Sequence, residues 1–146
     1  MISMSEQIER EVLLSASPAE VWRALTDGDQ VSEWFGAEVE MEPHRGGRVH
    51  FRFPDGTKRG AVIETFETER LLVLRWLPFE QNAQGRTQSR PSTNVRFSLR
   101  PSDRETLLVV QEYVPGLFSG ESLASDPSGY SDRGWGRLRL RTRARR

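Results

Sequence analysis

The sequence predicts a single α+β domain in which helices cover one side of an antiparallel sheet. The chain has 146 residues, about the length of one domain. An alternating apolar segment comes first, two short stretches with helical spacing follow, and most of the remainder alternates with period two. Turn signals separate the alternating segments, as expected for strands joined by hairpins. An open sheet needs a second layer over its apolar face, and the two helices supply part of it.

The first strand is predicted over residues 8–14, IEREVLL, from its period-two pattern. A helix should then start after Ser17, because Pro18 suits the first turn and Glu20 completes a capping box. Its apolar stripe consists of Val21, Trp22 and Leu25. Gly28 is expected to end this helix.

A second short helix is predicted from Asp29, with Val31, Trp34 and Phe35 on one face and Gly36 at its end. Trp34 and Phe35 are therefore expected to face the sheet, or a cavity between sheet and helix.

Six further segments alternate with period two and complete a predicted seven-stranded antiparallel meander. They are residues 37–43, 47–53, 60–69, 70–79, 93–101 and 106–115. Turn residues lie at 44–47, at 54–57 and around Asp103. Residues 80–92 are polar and without periodicity, so a long mobile loop is predicted there.

The C-terminal part of the chain differs in composition and charge. We divide the single domain, residues 1–146, into a core at 8–114, a connector at 115–132 and an Arg-rich segment at 133–146. That last segment holds seven Arg and no acid, although the whole chain is formally neutral. A run of like charges is usually a solvated segment, so binding to nucleic acid is not expected.

The order of elements resembles the helix-grip fold of the START-like (SRPBCC, Bet v 1-like) superfamily. Within it, the sequence is similar to the branch named for the activator of the heat-shock protein 90 ATPase. The resemblance lies in SPAEVWRALTDGDQVSEWF, in EPHRGGRVHFRFPDGTKRGAVIETFETERLLVLRWLPF, and in the GW at 134–135, where the closing helix of such proteins usually begins.

This resemblance implies a curved sheet around a C-terminal helix, with an elongated apolar cavity between them that binds lipids, polyketides or other hydrophobic molecules. Leu138 and Leu140 depart from it, because they alternate with Arg instead of forming a helical stripe. The terminus is therefore either truncated or altered, or forms a short helix whose Arg heads reach water.

Composition excludes several classes of protein. The chain has no Cys, its N-terminus lacks the apolar stretch of a signal peptide, and no apolar run reaches the roughly 20 residues of a membrane helix. A cytoplasmic location is expected. No metal-binding, nucleotide-binding or hydrolase motif occurs, so no cofactor or metal is expected.

Three residues are candidates for catalysis: Arg75, Glu112 and His50. Among the polar residues, Arg75 is the one most readily forced inside, because its strand is apolar on both sides, and Glu112 or Glu64 could then pair with it. A structural ion pair or an exposed edge is nevertheless the favoured interpretation of Arg75. His50 should lie on the solvent side of its strand, and His44 lies in a turn without an evident partner.

Aromatic side chains are the best candidates for lining a cavity, although ordinary core packing explains most of them equally well. They are Trp34, Phe35, Phe51, Phe53, Trp76, Phe97 and Tyr113.

The sequence and the family resemblance leave three alternative functions. The first is non-catalytic binding of an apolar small molecule. The second is a protein-interaction role as a chaperone-associated module, and the third is an enzyme of cyclase or hydrolase type. An unclosed cavity would expose apolar surface and favour a homodimer or a docked partner.

Overall fold

The computed structural model describes residues 5–115, with side chains from Glu9 to Glu112. The elements are β1 Ser5–Leu14, α1 Pro18–Thr26, α2 Gly28–Phe35, β2 Glu38–Met41, β3 Arg48–Arg52, β4 Lys58–Glu67, β5 Leu71–Gln81, β6 Thr87–Ser89, β7 Asn94–Ser102 and β8 Glu105–Pro115. The predicted α+β class is confirmed. The predicted connector beyond residue 115, the Arg-rich segment and the closing helix lie outside the described residues.

The sheet is antiparallel and curls into a half-barrel. Its main path runs β1-β8-β7-β5-β4-β3-β2, and the short β6 pairs with β5 at the side of this path. The strands from β2 to β8 form the predicted hairpin-linked meander, and β1 closes the order by pairing with β8. Seven strands on the main path match the prediction.

Helix α1 begins as its sequence predicts. The Ser17 hydroxyl accepts a hydrogen bond from the Glu20 amide at 3.2 Å, and the Glu20 carboxylate accepts one from the Ser17 amide at 2.9 Å. This capping box satisfies two amides that a helix start leaves without intrahelical partners.

Gly28 was predicted to end α1, but it is the first residue of α2. Asp27 separates the two helices, and its carboxylate accepts from the Asp29 amide at 3.0 Å. Gly28 lies so close to β2 that a Cβ atom would stand 2.7 Å from the Val39 carbonyl oxygen. Close packing of the helix on the strand therefore explains the glycine.

Helix α2 also holds the free edge of β2. The Ser32 hydroxyl accepts a hydrogen bond from the Val39 amide at 2.8 Å and donates one to the Gly28 carbonyl at 2.7 Å. The Ser32 side chain thus ties the backbone of the edge strand to the helix.

The prediction of a long loop over residues 80–92 is wrong. Strand β5 continues to Gln81, the chain turns through Asn82 and Gly85, and β6 returns beside β5. Phe79 pairs with Ser89 and Gln81 with Thr87. Backbone pairing stabilises this polar extension, which is why apolar periodicity gave no sign of it.

Side chains alternate between two faces of the sheet. The inner face carries the buried side chains and packs against α1 and α2, and on β5 it presents Leu72, Leu74 and Trp76. The outer face carries exposed side chains such as His50 and Arg75. Among the described residues, neither helix is long and apolar enough to cross a membrane.

Candidate functional site

The inner face carries a row of ring contacts that begins on α2 and crosses β3 to β5. We call Trp34, Phe35, Phe51, Phe53 and Trp76 the aromatic row. Ring centroids are 5.7 Å apart for Trp34 and Phe35, 5.1 Å for Phe35 and Phe51, and 4.9 Å for Phe51 and Trp76. These distances are typical of aromatic pairs that stabilise each other beyond simple burial.

Phe53 joins the row from its side. Its ring lies 6.0 Å from that of Phe35 and 6.3 Å from that of Phe51, nearly parallel to the latter. Phe53 and Trp34 are half-buried, whereas Phe35, Phe51 and Trp76 are fully enclosed. The Trp34 indole also donates to the Ala24 carbonyl at 2.9 Å, which fixes α2 against α1.

The row ends at a group of buried polar side chains around Trp76, which we call the polar cluster: Arg59, Thr93 and Glu112. Their exposed fractions are only 3%, 2% and 1%. One carboxylate oxygen of Glu112 accepts from the Trp76 indole N–H at 3.2 Å and from the Thr93 hydroxyl at 3.1 Å. Buried polar groups are tolerated when they are hydrogen-bonded in this way.

Arg59 approaches Trp76 from the ring face. Its Cζ atom lies 4.9 Å from the indole centroid, and its Nη2 atom donates to the carbonyls of Leu77 at 3.0 Å and Pro91 at 3.1 Å. A guanidinium over an indole gains cation–π stabilisation, which is larger when water is excluded. The indole therefore contacts a cation at its face and a carboxylate at its N–H edge.

Other backbone bonds hold this corner of the sheet in place. The Trp76 amide donates to the Thr93 carbonyl at 2.9 Å, and the Ser92 hydroxyl donates to the Trp76 carbonyl at 2.7 Å. Residues just before β7 are thereby fixed to β5. The aromatic row and the polar cluster thus form one continuous packed set, of which only Trp34 and Phe53 are half-buried.

The remaining aromatic candidates lie elsewhere. Phe97 is buried on the inner face of β7, within the main core. Tyr113 lies in β8, where its backbone pairs with Gln7 of β1, and nothing is described of its side chain.

Arg75 is not forced inside. Arg75 is on the outer face, where its Nε atom lies 2.5 Å from a carboxylate oxygen of Glu64, with 46% and 30% of the two side chains exposed. On β5 the inward positions are Leu72, Leu74 and Trp76, so Arg75 points outwards. The alternative of a structural ion pair with Glu64 is the observed one.

The three catalytic candidates are not brought together. Glu112 is on the inner face, whereas His50 and Arg75 are exposed on the outer face. Within residues 5–115 no group of three or more His, Asp or Glu side chains could hold a metal ion.

Sequence reasoning missed Arg59 and Thr93. The signal that could have found them is the period-two alternation of a strand. Arg59 precedes Ala61 and Ile63 by two and four residues, and all three face inwards. Thr93 precedes the buried Val95 by two residues. The predicted strand began at Gly60, so Arg59 lay between it and the predicted turn at 54–57, whereas β4 begins at Lys58.

The order of one strand, two short helices and then the remaining strands of a half-barrel sheet is that of the helix-grip class, the SRPBCC or Bet v 1-like proteins. Within this class, residues 15–139 match the family model described as Activator of Hsp90 ATPase homolog 1-like protein. The chain belongs to this family. A search of curated proteins gave no match.

Solved structures share the fold at low sequence identity. CalU16 from Micromonospora echinospora is 23% identical with a TM-score of 0.58, and the match covers 75% of this chain and 60% of CalU16. DynU16, described as a protein of the dynemicin biosynthetic locus, is 22% identical with a TM-score of 0.67, over 90% of this chain and 45% of DynU16. This chain therefore spans less than two thirds of either protein.

A third solved structure also shares the fold. The Aha1 dimer from Colwellia psychrerythraea is 17% identical with a TM-score of 0.59, and the match covers 73% of this chain and 74% of that chain.

Proposed function

We propose that the protein binds an apolar small molecule, of the lipid, polyketide or aromatic class, against the aromatic row, without catalysing a reaction on it. The observation that carries this proposal is the continuity of the row with the polar cluster on one face of the sheet. Ligand sites commonly combine a mostly apolar wall with a few fixed polar groups. The expected location is the cytoplasm.

The row supplies the apolar contact. Trp34 and Phe53, its half-buried members, lie on α2 and just after β3, and their rings reach the enclosed Phe35 and Phe51. A flat or elongated molecule lying along them would replace contact with water by contact with ring faces.

The polar cluster would orient the ligand. Glu112 is an acceptor when ionised and Arg59 is a donor, and both are held by hydrogen bonds inside the sheet. A ligand with one hydroxyl or carbonyl group would be bound at this end in a preferred direction.

The test starts with native mass spectrometry of the full chain purified from its own host, followed by a thermal-shift screen of fatty acids and flat aromatic polyketides. Co-purified apolar mass and a raised Tm are the expected results. A ligand at about 100 times its Kd stabilises a protein by about 2.7 kcal/mol. Absence of both bound mass and any rise in Tm would contradict the proposal.

Matched variants locate the site. Phe53→Leu should lower the affinity for the ligand found in the screen, because it removes a half-buried ring of the row. Leu13→Ala is the control, since Leu13 is an exposed apolar residue of β1 outside the aromatic row. Equal affinities of the two variants would place the ligand elsewhere.

A second candidate function is a protein-interaction role of the chaperone-associated kind. It is supported by the family description and by the likeness to the Aha1 dimer. An empty protein that co-purifies with a chaperone, or that stimulates a chaperone ATPase, would favour it over ligand binding.

The enzyme hypothesis receives less support from the geometry. Cyclase or hydrolase chemistry needs an acid or base within reach of the same substrate atom. His50 and Arg75 lie on the opposite face of the sheet from Glu112. Glu112 would have to act with Arg59 or Thr93 in place of the predicted partners.

A further inference from the structure

A depression lies on the outer face, over strands β2 to β6, on the opposite side of the sheet from the aromatic row. Its volume is about 530 Å³, within the range of small-molecule sites. Its lining residues are Glu38, Glu40, Arg48, His50, Phe51, Arg52, Lys58, Arg59, Gly60, Leu77, Phe79, Gln81 and Thr87. Phe51 and Arg59 border it although their side chains belong to the inner face.

Strand register shows how the exposed side chains share one surface. Glu40 pairs with His50 and His50 with Gly60, which forms one row across β2, β3 and β4. A neighbouring row joins Arg52 to Lys58. We call the surface between these rows the outer depression.

Gly60 forms the floor of the outer depression because it has no side chain. A Cβ atom built there would lie 3.0 Å from the Cδ1 atom of Leu77, so the space above the glycine is bounded by apolar side chain. Glycine inside a strand weakens it and often marks the close approach of a ligand or another backbone. Phe79, with 46% of its surface exposed, adds an apolar wall.

The charges around this floor are mainly basic. Arg52 and Lys58 are direct cross-strand partners, an unfavourable arrangement for like charges. Glu38 lies 3.0 Å from Arg52 and compensates that cation. Within residues 5–115, neither Lys58 nor Arg48 forms an ion pair, although Glu40 lines the same depression.

We propose that the outer depression binds a flat apolar molecule carrying one carboxylate group. The apolar body would lie over Gly60, in contact with the His50 ring, Leu77 and Phe79. The anionic group would lie beside Lys58 and relieve its repulsion from Arg52. This site uses the opposite face of the sheet and does not depend on the function proposed for the aromatic row.

The test is an NMR titration of the full chain, followed through backbone amide shifts, with 1-naphthoate as probe and uncharged 1-naphthalenemethanol as its neutral counterpart. Shifts are expected at Gly60, His50 and Leu77, with weaker binding of the neutral probe. Lys58→Gln should lower the affinity for 1-naphthoate by about fivefold, which is the scale of one exposed ion pair.

Two further variants complete the design. Gly60→Ser fills the floor and should abolish the shifts. Arg96→Gln removes an exposed cation of β7 outside the outer depression and should leave the affinity unchanged.

Two results would overturn the proposal. The first is an unchanged affinity in Lys58→Gln. The second is a set of shifts confined to the inner face, at Val95 and Glu112, because the probe would then occupy the site proposed for the aromatic row.

Discussion

The two faces of the sheet use the same kinds of residue for different purposes. On the inner face, Arg59 and Glu112 are almost fully enclosed and act through hydrogen bonds around one indole. On the outer face, Arg75 and Glu64 form an ion pair that water reaches. Burial decides what a charge contributes, because a low-dielectric surrounding strengthens each interaction and makes its loss costly.

Removing an indole should show the largest difference between the faces. Trp76→Ala deletes a fully buried ring and its bonds to the polar cluster, and should lower the free energy of unfolding by about 3–5 kcal/mol. Phe79→Ala, on the outer face, should change it by less than about 1 kcal/mol. Urea denaturation of both variants measures the contrast, and similar losses would contradict it.

Removing a carboxylate should give the next largest effect. Glu112→Ala leaves the buried Trp76 N–H and the Thr93 hydroxyl without their acceptor, so a loss of about 3 kcal/mol is expected. The matched change Glu64→Ala should lower the free energy of unfolding by less than about 1 kcal/mol. If the two urea midpoints move together, the buried carboxylate has no special role in stability.

The smallest effect should come from the exposed ion pair. A double-mutant cycle of Arg75→Ala and Glu64→Ala should give a coupling energy of about 0.5 kcal/mol, which falls as salt is raised to about 1 M. Unfolding measured at low and high salt checks this. A coupling above about 2 kcal/mol, insensitive to salt, would mean that the outer pair behaves like a buried one.

Local signals in the sequence predicted much of this fold. The capping box at Ser17 and Glu20 marked the start of α1, and glycine at Gly36 and Gly56, both with positive φ, marked the end of α2 and a hairpin turn. These features depend on neighbouring residues alone.

The burial of the polar residues was harder to predict. Strand β5 is apolar on both faces near Arg75, so no alternation showed which way that side chain points. Arg59 stands beside a glycine, where the register of β4 against β5 shifts. The partners that make its burial tolerable, the carbonyls of Leu77 and Pro91, come from distant parts of the chain.

The bond between Ser32 and β2 bears on how copies of the protein could associate. An open sheet edge presents amides and carbonyls to which a strand of another molecule can add. At β2 the Val39 amide already donates to the Ser32 hydroxyl, and Gly28 brings the helix against the strand. Growth of the sheet by strand addition from a second molecule is thereby obstructed at this end, and any pairing of two copies there would require α2 to move away first.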